Sequence, residues 1–391
     1  MEGKMTSLNK INIVINDVAA SYGGALSILK QFLDELSSNS KAKNYNWIVF
    51  VSNDLVNEYN SDHIKIIKVN VKAWLKRIWW DTFGIKIWLN KKSIEPNVVI
   101  SLMSVGFKFI NVPQIVYIHQ SLPYGEFKDF KLFEWKLRFY TWGIFKWMKW
   151  SIKKDSTIIV QTNWMKDAVQ KKLGIDNKDI HVIRPNAKTY KDDYNYQKDQ
   201  VSFSYKLFYP ATFSGSYKNF ELLIKMIYEL KKENYELGSK IKLIFTSKPN
   251  TNKLTKYYYN LALKLVVNEN IDWVGYLNKE QMLENYLNCD AIVFPSKLET
   301  FGLPLIEAAS LGKKIFVLNR PYAKDVLTGY NGYEFIEDDP ILWAKEILKF
   351  YFSMKLIKFE ALKDFDGEWE KMIDLIIDIT KNKLTYNESI D

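Results

Sequence analysis

A single cysteine, Cys289, in 391 residues leaves no internal disulfide to form, and His63, His119 and His181 stand too far from it and from one another to give the spacing of a zinc site. A reducing cytosol is the expected setting. No run approaches the ~18 apolar residues of a membrane span, and the opening stretch MEGKMTSLNKINIVIND lacks the apolar core of a signal peptide. No internal repeat or low-complexity tract is present. Acid is the scarcer charge: 45 Asp+Glu against 55 Lys+Arg give a net charge of +10. That balance favours an anionic partner, whether nucleic acid, a phospholipid surface or a phosphorylated ligand.

What is present is the alternation of a parallel α/β protein. Short β-branched runs separated by stretches with helical spacing read as βαβ units. In the first half these are INIVIN (11–16), WIVFVS (47–52), IKIIKV (64–69), NVVISL (97–102), QIVYIH (114–119), TIIVQT (157–162) and IHVIRP (180–185). In the second they are KLFYPA (206–211), KIKLIF (240–245), IDWVGY (271–276), DAIVFP (290–295) and KKIFVL (313–318). The length suits two domains, and the polar segment 187–204 reads as the linker between them. The expected organisation is an N-terminal domain over 1–188, a C-terminal domain over 204–355, and a last helix within 356–391 that returns to the N-terminal domain.

Open parallel sheets bind ligands at the carboxyl ends of their strands. After the first strand, Gly23 and Gly24 precede a helix whose Leu26, Leu29, Leu33 and Leu36 keep the spacing of a buried face. Two glycines there let main-chain N–H groups approach a phosphate, though a plain flexible turn accounts for them equally. After DAIVFP comes SKLETFGLPLIEAASLG, with Glu299 and Glu307 eight positions apart. A helix starting near Pro304 puts Glu299 in the loop and Glu307 in the first helical turn. The amides of Phe301, Gly302 and Leu303 then face an anion. Carboxylates beside an anion need hydroxyls to accept from, and the sugars flanking a diphosphate carry them.

FPSKLETFGLPLIEAASLGKKIFV resembles the E-x7-E signature of retaining glycosyltransferases of family 4, and the resemblance runs from the YGG loop to the region of Trp369. It implies a GT-B fold, α/β with two facing Rossmann-like doubly wound parallel-sheet domains and a cleft between them. It implies that Glu307 holds the nucleotide ribose, Glu299 the transferred sugar, and the amides of Gly302 and Leu303 the phosphates. YPATFSGSYKN (209–219) is similar to the family's diphosphate loop, which makes Lys218 the neutralising cation. The arginine that often precedes that lysine by about six residues is absent, the region reading Ala211-Thr212-Phe213. His119 falls where the family keeps a histidine near the transferred sugar, and Trp273, Val274, Gly275 and Tyr276 where the nucleobase is received. The implied mechanism is closure of two domains, electrostatic stabilisation of the departing diphosphate, and attack by the acceptor hydroxyl from the same face.

No cofactor is expected, the nucleotide-sugar being a substrate. No metal is expected either, because the only D-x-D, Asp364-Phe365-Asp366, comes late in the chain and follows no strand. The segments 71–92 and 126–154 interleave Lys and Arg with tryptophan, a pattern that suits an anionic lipid surface. The lipid-facing set is Trp74, Trp79, Trp80, Trp88, Trp135, Trp142, Trp147 and Trp150, with Lys76, Arg77, Lys146 and Lys149. No nucleic-acid motif accompanies the charge. The resulting expectation is a cytoplasmic enzyme, peripheral at the inner face of the cell membrane, that moves a sugar from a nucleotide-sugar to a lipid-diphosphate-linked glycan acceptor in surface polysaccharide assembly. The alternatives are a GT-B nucleotide-sugar epimerase and a catalytically silent, membrane-associated nucleotide-binding subunit.

Overall fold

The computed structural model describes residues 11–21, 23–71, 73–126, 129–187, 204–353, 359–362 and 365–388. Most of the linker read at 187–204 lies outside the described residues, as does Asp364 of the D-x-D triplet. Two compact units result. One combines the chain up to Tyr124 with Thr141–Asn186 and the chain from Asp366, and the other combines Gly125–Tyr140 with Ala187–Phe365. The partition differs from the sequence expectation at two places, since Gly125–Tyr140 and the residues from 356 to Phe365 both fall in the second unit.

The first unit is built on seven parallel strands: β1 (Asn12–Asn16), β2 (Asn46–Val51), β3 (Ile64–Lys68), β4 (Val98–Ser101), β5 (Gln114–Ile118), β6 (Thr157–Val160) and β7 (Ile180–Val182). Their order across the sheet is β3-β2-β1-β4-β5-β6-β7. The second unit has β8 (Tyr205–Tyr209), β9 (Ile241–Phe245), β10 (Ile271–Trp273), β11 (Ala291–Phe294), β12 (Lys314–Leu318) and β13 (Tyr333–Ile336), ordered β10-β9-β8-β11-β12-β13 and parallel throughout. Both orders reverse direction beside the first strand of the unit, the switch point at which such sheets leave a crevice for ligands. β13 is the strand the sequence reading missed: YEFI is short and only partly apolar, and three of its four side chains are incompletely buried.

Strands covered on both faces need apolar side chains at nearly every position, and β4, β5 and β11 are buried along their whole length. On one face of the first sheet lies the helix Gly23–Ser38, with Leu29, Leu33 and Leu36 fully buried and Leu26 partly so. The last helix, Trp369–Glu388, packs into the same core through Trp369, Met372, Ile373 and Ile376. Trp369 stacks on Tyr117, with ring centroids 5.8 Å apart, and donates its Nε1–H to Gln31 at 3.0 Å. The final helix is therefore part of the first unit's hydrophobic core.

The aromatic stretch 74–91 forms a helix Trp74–Trp79, a π-helical turn Trp80–Gly84 and a helix Ile85–Lys91. Three members of the lipid-facing set are better explained as structure, Trp147 being half-buried against the first unit's core. Trp80 is buried, packs edge-on against Phe50 and donates to Asn16 at 3.2 Å. Trp88 sits 4.9 Å from the same Phe50 ring. Arg77 is half-buried and its charge acts on two buried acids, Asp17 and Asp81, so it is not simply a lipid-facing cation. Among the described residues no helix is long and apolar enough to cross a membrane.

Candidate active site

The carboxyl ends of β8, β11 and β12 in the second unit carry the densest set of charged groups with defined partners. After β8 the chain makes a tight turn at Ser216–Lys218 and enters the helix Phe220–Glu233 through Asn219, whose φ of 58° is left-handed, a region asparagine tolerates. This turn presents Lys218 to the loop after β11, where its Nζ lies 2.5 Å from Glu299 Oε1. Both side chains are about 85% buried. Burial by itself lowers the lysine pKa, but the carboxylate beside it more than offsets that and leaves the value raised, so Lys218 is firmly a cation. The pair thus joins two residues 81 positions apart.

The loop continues to Gly302, whose φ of 91° is open to glycine and strained for other residues. The chain turns there directly into the helix Leu303–Ser310, with Pro304 in its first turn. The helix starts one residue earlier than Pro304, so Glu307 is its fifth residue and lies in the second turn, not the first. Its carboxylate accepts from the Tyr286 hydroxyl at 2.7 Å. The first amides of a helix lack intrahelical partners, and those of Leu303 and its neighbours lie beside the loop that carries Glu299.

Several buried groups hold this geometry. The Tyr209 hydroxyl donates to the Lys218 carbonyl at 2.7 Å, and the Tyr322 hydroxyl donates to the Ser296 carbonyl at 2.7 Å. Asp338 accepts from Asn219 at 2.7 Å and pairs with Lys297 at 2.7 Å, tying the turn after β8 to the loop after β11. Its pKa is lowered because those partners outweigh the cost of burial. The segment Gly125–Tyr140 pins the same turn from another side. Glu134 accepts from the Ser216 amide at 3.0 Å and from its hydroxyl, while the Lys131 amide donates to the Ser216 hydroxyl at 3.0 Å. Ser216, Asn219, Lys297 and Asp338 line a cavity of about 260 Å3. None of these supports was signalled by the sequence, because all but the Tyr209–Lys218 bond span dozens of residues.

Trp273 ends β10, and Gly275 and Tyr276 follow it. Trp273 is half-buried in an aromatic cluster with Phe245 and Phe213, at centroid distances of 5.3 and 5.8 Å, and Tyr276 is 89% exposed. Gly275 needs its left-handed φ of 88°. In the first unit, His119 directly follows β5, its amide donates to Ser104 Oγ at 3.3 Å and its ring stands edge-on to Tyr117. Burial pushes its pKa down to about 4, so the imidazole is neutral near pH 7. Gly23 opens its helix at φ 62°, whereas Gly24 has open space where a side chain would be. The structure therefore brings Lys218, Glu299, Gly302 and Leu303 together in one unit with Glu307 a turn further on, and puts His119, Gly23 and Gly24 at the carboxyl edge of the other sheet. Among the described residues no group of three or more His, Cys, Asp or Glu could hold a metal ion.

This architecture is that of the GT-B glycosyltransferases. The chain superposes on WaaG, a glycosyltransferase involved in lipopolysaccharide biosynthesis, with a TM-score of 0.60 at 14% identity, over 94% of this chain and 99% of that one. It superposes on HepE of Anabaena, solved with UDP and glucose, with a TM-score of 0.62 at 14% identity, over 97% and 100% of the two chains. Residues 23–186 match the family described as Glycosyltransferase Family 4, and residues 204–356 match Glycosyl transferases group 1. The chain belongs to the family 4 glycosyltransferases. A curated relative, the O-antigen chain mannosyltransferase RfbU of Salmonella typhimurium, is 25% identical over 236 residues, which cover 57% of this chain and 61% of the relative's length.

Proposed function

We propose that the protein is a retaining glycosyltransferase that moves a sugar from a nucleotide-sugar to a lipid-linked glycan acceptor during surface polysaccharide assembly. The observation that carries this reading is the Lys218–Glu299 pair beside the start of the helix Leu303–Ser310. It combines a fixed cation, helix-end amides for a diphosphate and a carboxylate able to accept from sugar hydroxyls. In this reading Lys218 takes charge from the diphosphate as the glycosidic bond breaks and Glu299 is released to the transferred sugar. Glu307, oriented by Tyr286, takes the ribose, while Trp273, Gly275 and Tyr276 receive the base. His119, neutral at physiological pH, serves as a hydrogen-bonding group toward the sugar. The acceptor hydroxyl attacks from the face the diphosphate leaves, and a diphosphate oxygen takes its proton. The donor charge is met by Lys218 and main-chain dipoles, so the reaction is metal-independent. O-antigen and lipopolysaccharide relatives support a surface-glycan acceptor.

An anionic membrane surface is the proposed location, on the cytoplasmic side. In the first unit Phe83 stacks on Phe109 at 5.0 Å and Phe109 meets Trp150 at 6.0 Å, all three exposed, with Lys108 over the Trp150 ring. Trp142, more than half exposed, carries Lys146 over its face. Exposed rings ringed by lysine suit the headgroup layer.

The test is a donor screen followed by transfer. Thermal shift against nucleotide-sugars identifies the donor, a ligand at 100 Kd adding ~2.7 kcal/mol. Transfer to a lipid-diphosphate sugar is then followed by proton NMR of the new anomeric centre. A product with inverted configuration refutes retention, and donor epimerisation in the absence of acceptor refutes the transferase.

A further inference from the structure

We infer that Arg320 is a second diphosphate-binding cation, acting beside Lys218 in the donor site. The inference rests on the donor-site reading above. Arg320 stands two residues after β12, at the carboxyl edge of the second sheet. Two neighbouring cations of that edge have partners: Lys218 is paired with Glu299 and Lys297 with Asp338. The Arg320 side chain makes no ion pair or hydrogen bond among the described residues, and its Nε is buried without a partner. A guanidinium that gives up hydration on one side normally regains it through a planar acceptor, and phosphate supplies a bidentate one.

Its position matches that use. Its charge reaches Asp338, the residue that links Asn219 to Lys297, and also Tyr322. The Tyr322 ring lies against Gly302, 3.7 Å from where a side chain there would begin, and its hydroxyl holds Ser296. The helix that Arg320 precedes therefore packs against the helix start at Gly302, and its charge acts on the residue that joins the two loops. A bound diphosphate carries more negative charge than the single cation Lys218 balances, even with Glu299 released. A second cation without a carboxylate of its own meets the remainder. Thr212, exposed on the turn after β8, provides no such charge.

Isothermal titration with inorganic pyrophosphate and with UDP and GDP tests the assignment on the full chain. Wild type is expected to bind pyrophosphate and at least one nucleoside diphosphate. R320Q should weaken both roughly ten- to hundred-fold, as removal of a charged hydrogen bond does, and R320K should recover part of the loss. Unchanged pyrophosphate affinity in R320Q, with only its melting temperature altered, overturns the proposal and leaves Arg320 as a structural neighbour of Asp338. Failure of wild type to bind any of the three probes overturns the donor-site reading itself. Should R320Q not fold, phenylglyoxal labelling of wild type decides: pyrophosphate should protect the Arg320 peptide, and equal labelling with and without it refutes the role.

Discussion

Asp81 offers a direct test of the buried polar cluster behind the first sheet. It lies in the π-helical turn, 2% exposed, with one oxygen accepting from Asn16 at 2.9 Å and the other without a partner among the described residues. Burial raises its pKa from 3.8 to about 7, against the opposing pull of Asn16 and Arg77. Asp17, completely buried beside it, is raised for the same reason, burial outweighing the pull of Arg77 and of the Ala20 amide. In the unfolded chain Asp81 ionises near 3.8, whereas in the fold it keeps its proton to about 7. Between those values the folded state binds more protons, so stability must fall as pH rises. At about 1.4 kcal/mol per pH decade the loss approaches about 4 kcal/mol above pH 7. Asp81→Asn keeps an oxygen for Asn16 and cannot ionise. It should equal wild type within ~1 kcal/mol near pH 4 and exceed it by up to about 4 kcal/mol at pH 8. For a unit of this size that is about 8–16 °C, at roughly 2–4 °C per kcal/mol. Thermal melts from pH 4 to 8, read by the fluorescence of the adjacent Trp80, measure it. Parallel pH profiles for wild type and Asp81→Asn would refute the buried-acid argument.

The donor site yields further expectations. Glu307→Ala should weaken nucleoside diphosphate binding by roughly 1.5–3 kcal/mol; unchanged calorimetric affinity removes Glu307 from the site. Glu299→Ala frees Lys218, so diphosphate affinity should hold or rise while affinity for the intact donor falls, and equal losses for both ligands contradict the division of labour. Transfer activity should persist in EDTA, and activity lost to EDTA but restored by magnesium or manganese overturns metal independence. The protein should co-sediment with anionic vesicles at low salt and be released as salt shortens the Debye length to ~8 Å. Replacing Lys108, Lys146 and Lys149 with glutamine should weaken that binding without touching nucleotide affinity, and a wild type that ignores such vesicles makes the exposed rings something other than a lipid contact.

The sequence by itself determined what depends on local pattern. Twelve β-branched runs marked twelve strands, because strands buried on both faces must be apolar nearly throughout. YEFI, at a margin with polar company, did not announce β13. The residues of the site were legible where a motif keeps them close in sequence, as with Glu299, Gly302 and Glu307. Tertiary structure alone decided what depends on distance in the chain. Lys218 and Glu299 meet because β8 and β11 are neighbours in the sheet, a pairing no local pattern encodes. Glu134 reaches Ser216 across 82 positions because the segment Gly125–Tyr140 packs into the second unit. Burial was also undecided by sequence: Trp80 and Trp142 read alike in a basic aromatic stretch, yet one fills the space over Phe50 and the other faces solvent. Arg77, in the same basic stretch as Lys76, which faces water, is half-buried and its charge acts on two buried acids. Amphipathic spacing tells which residues share a face, whereas only the packed neighbours determine whether that face is inside.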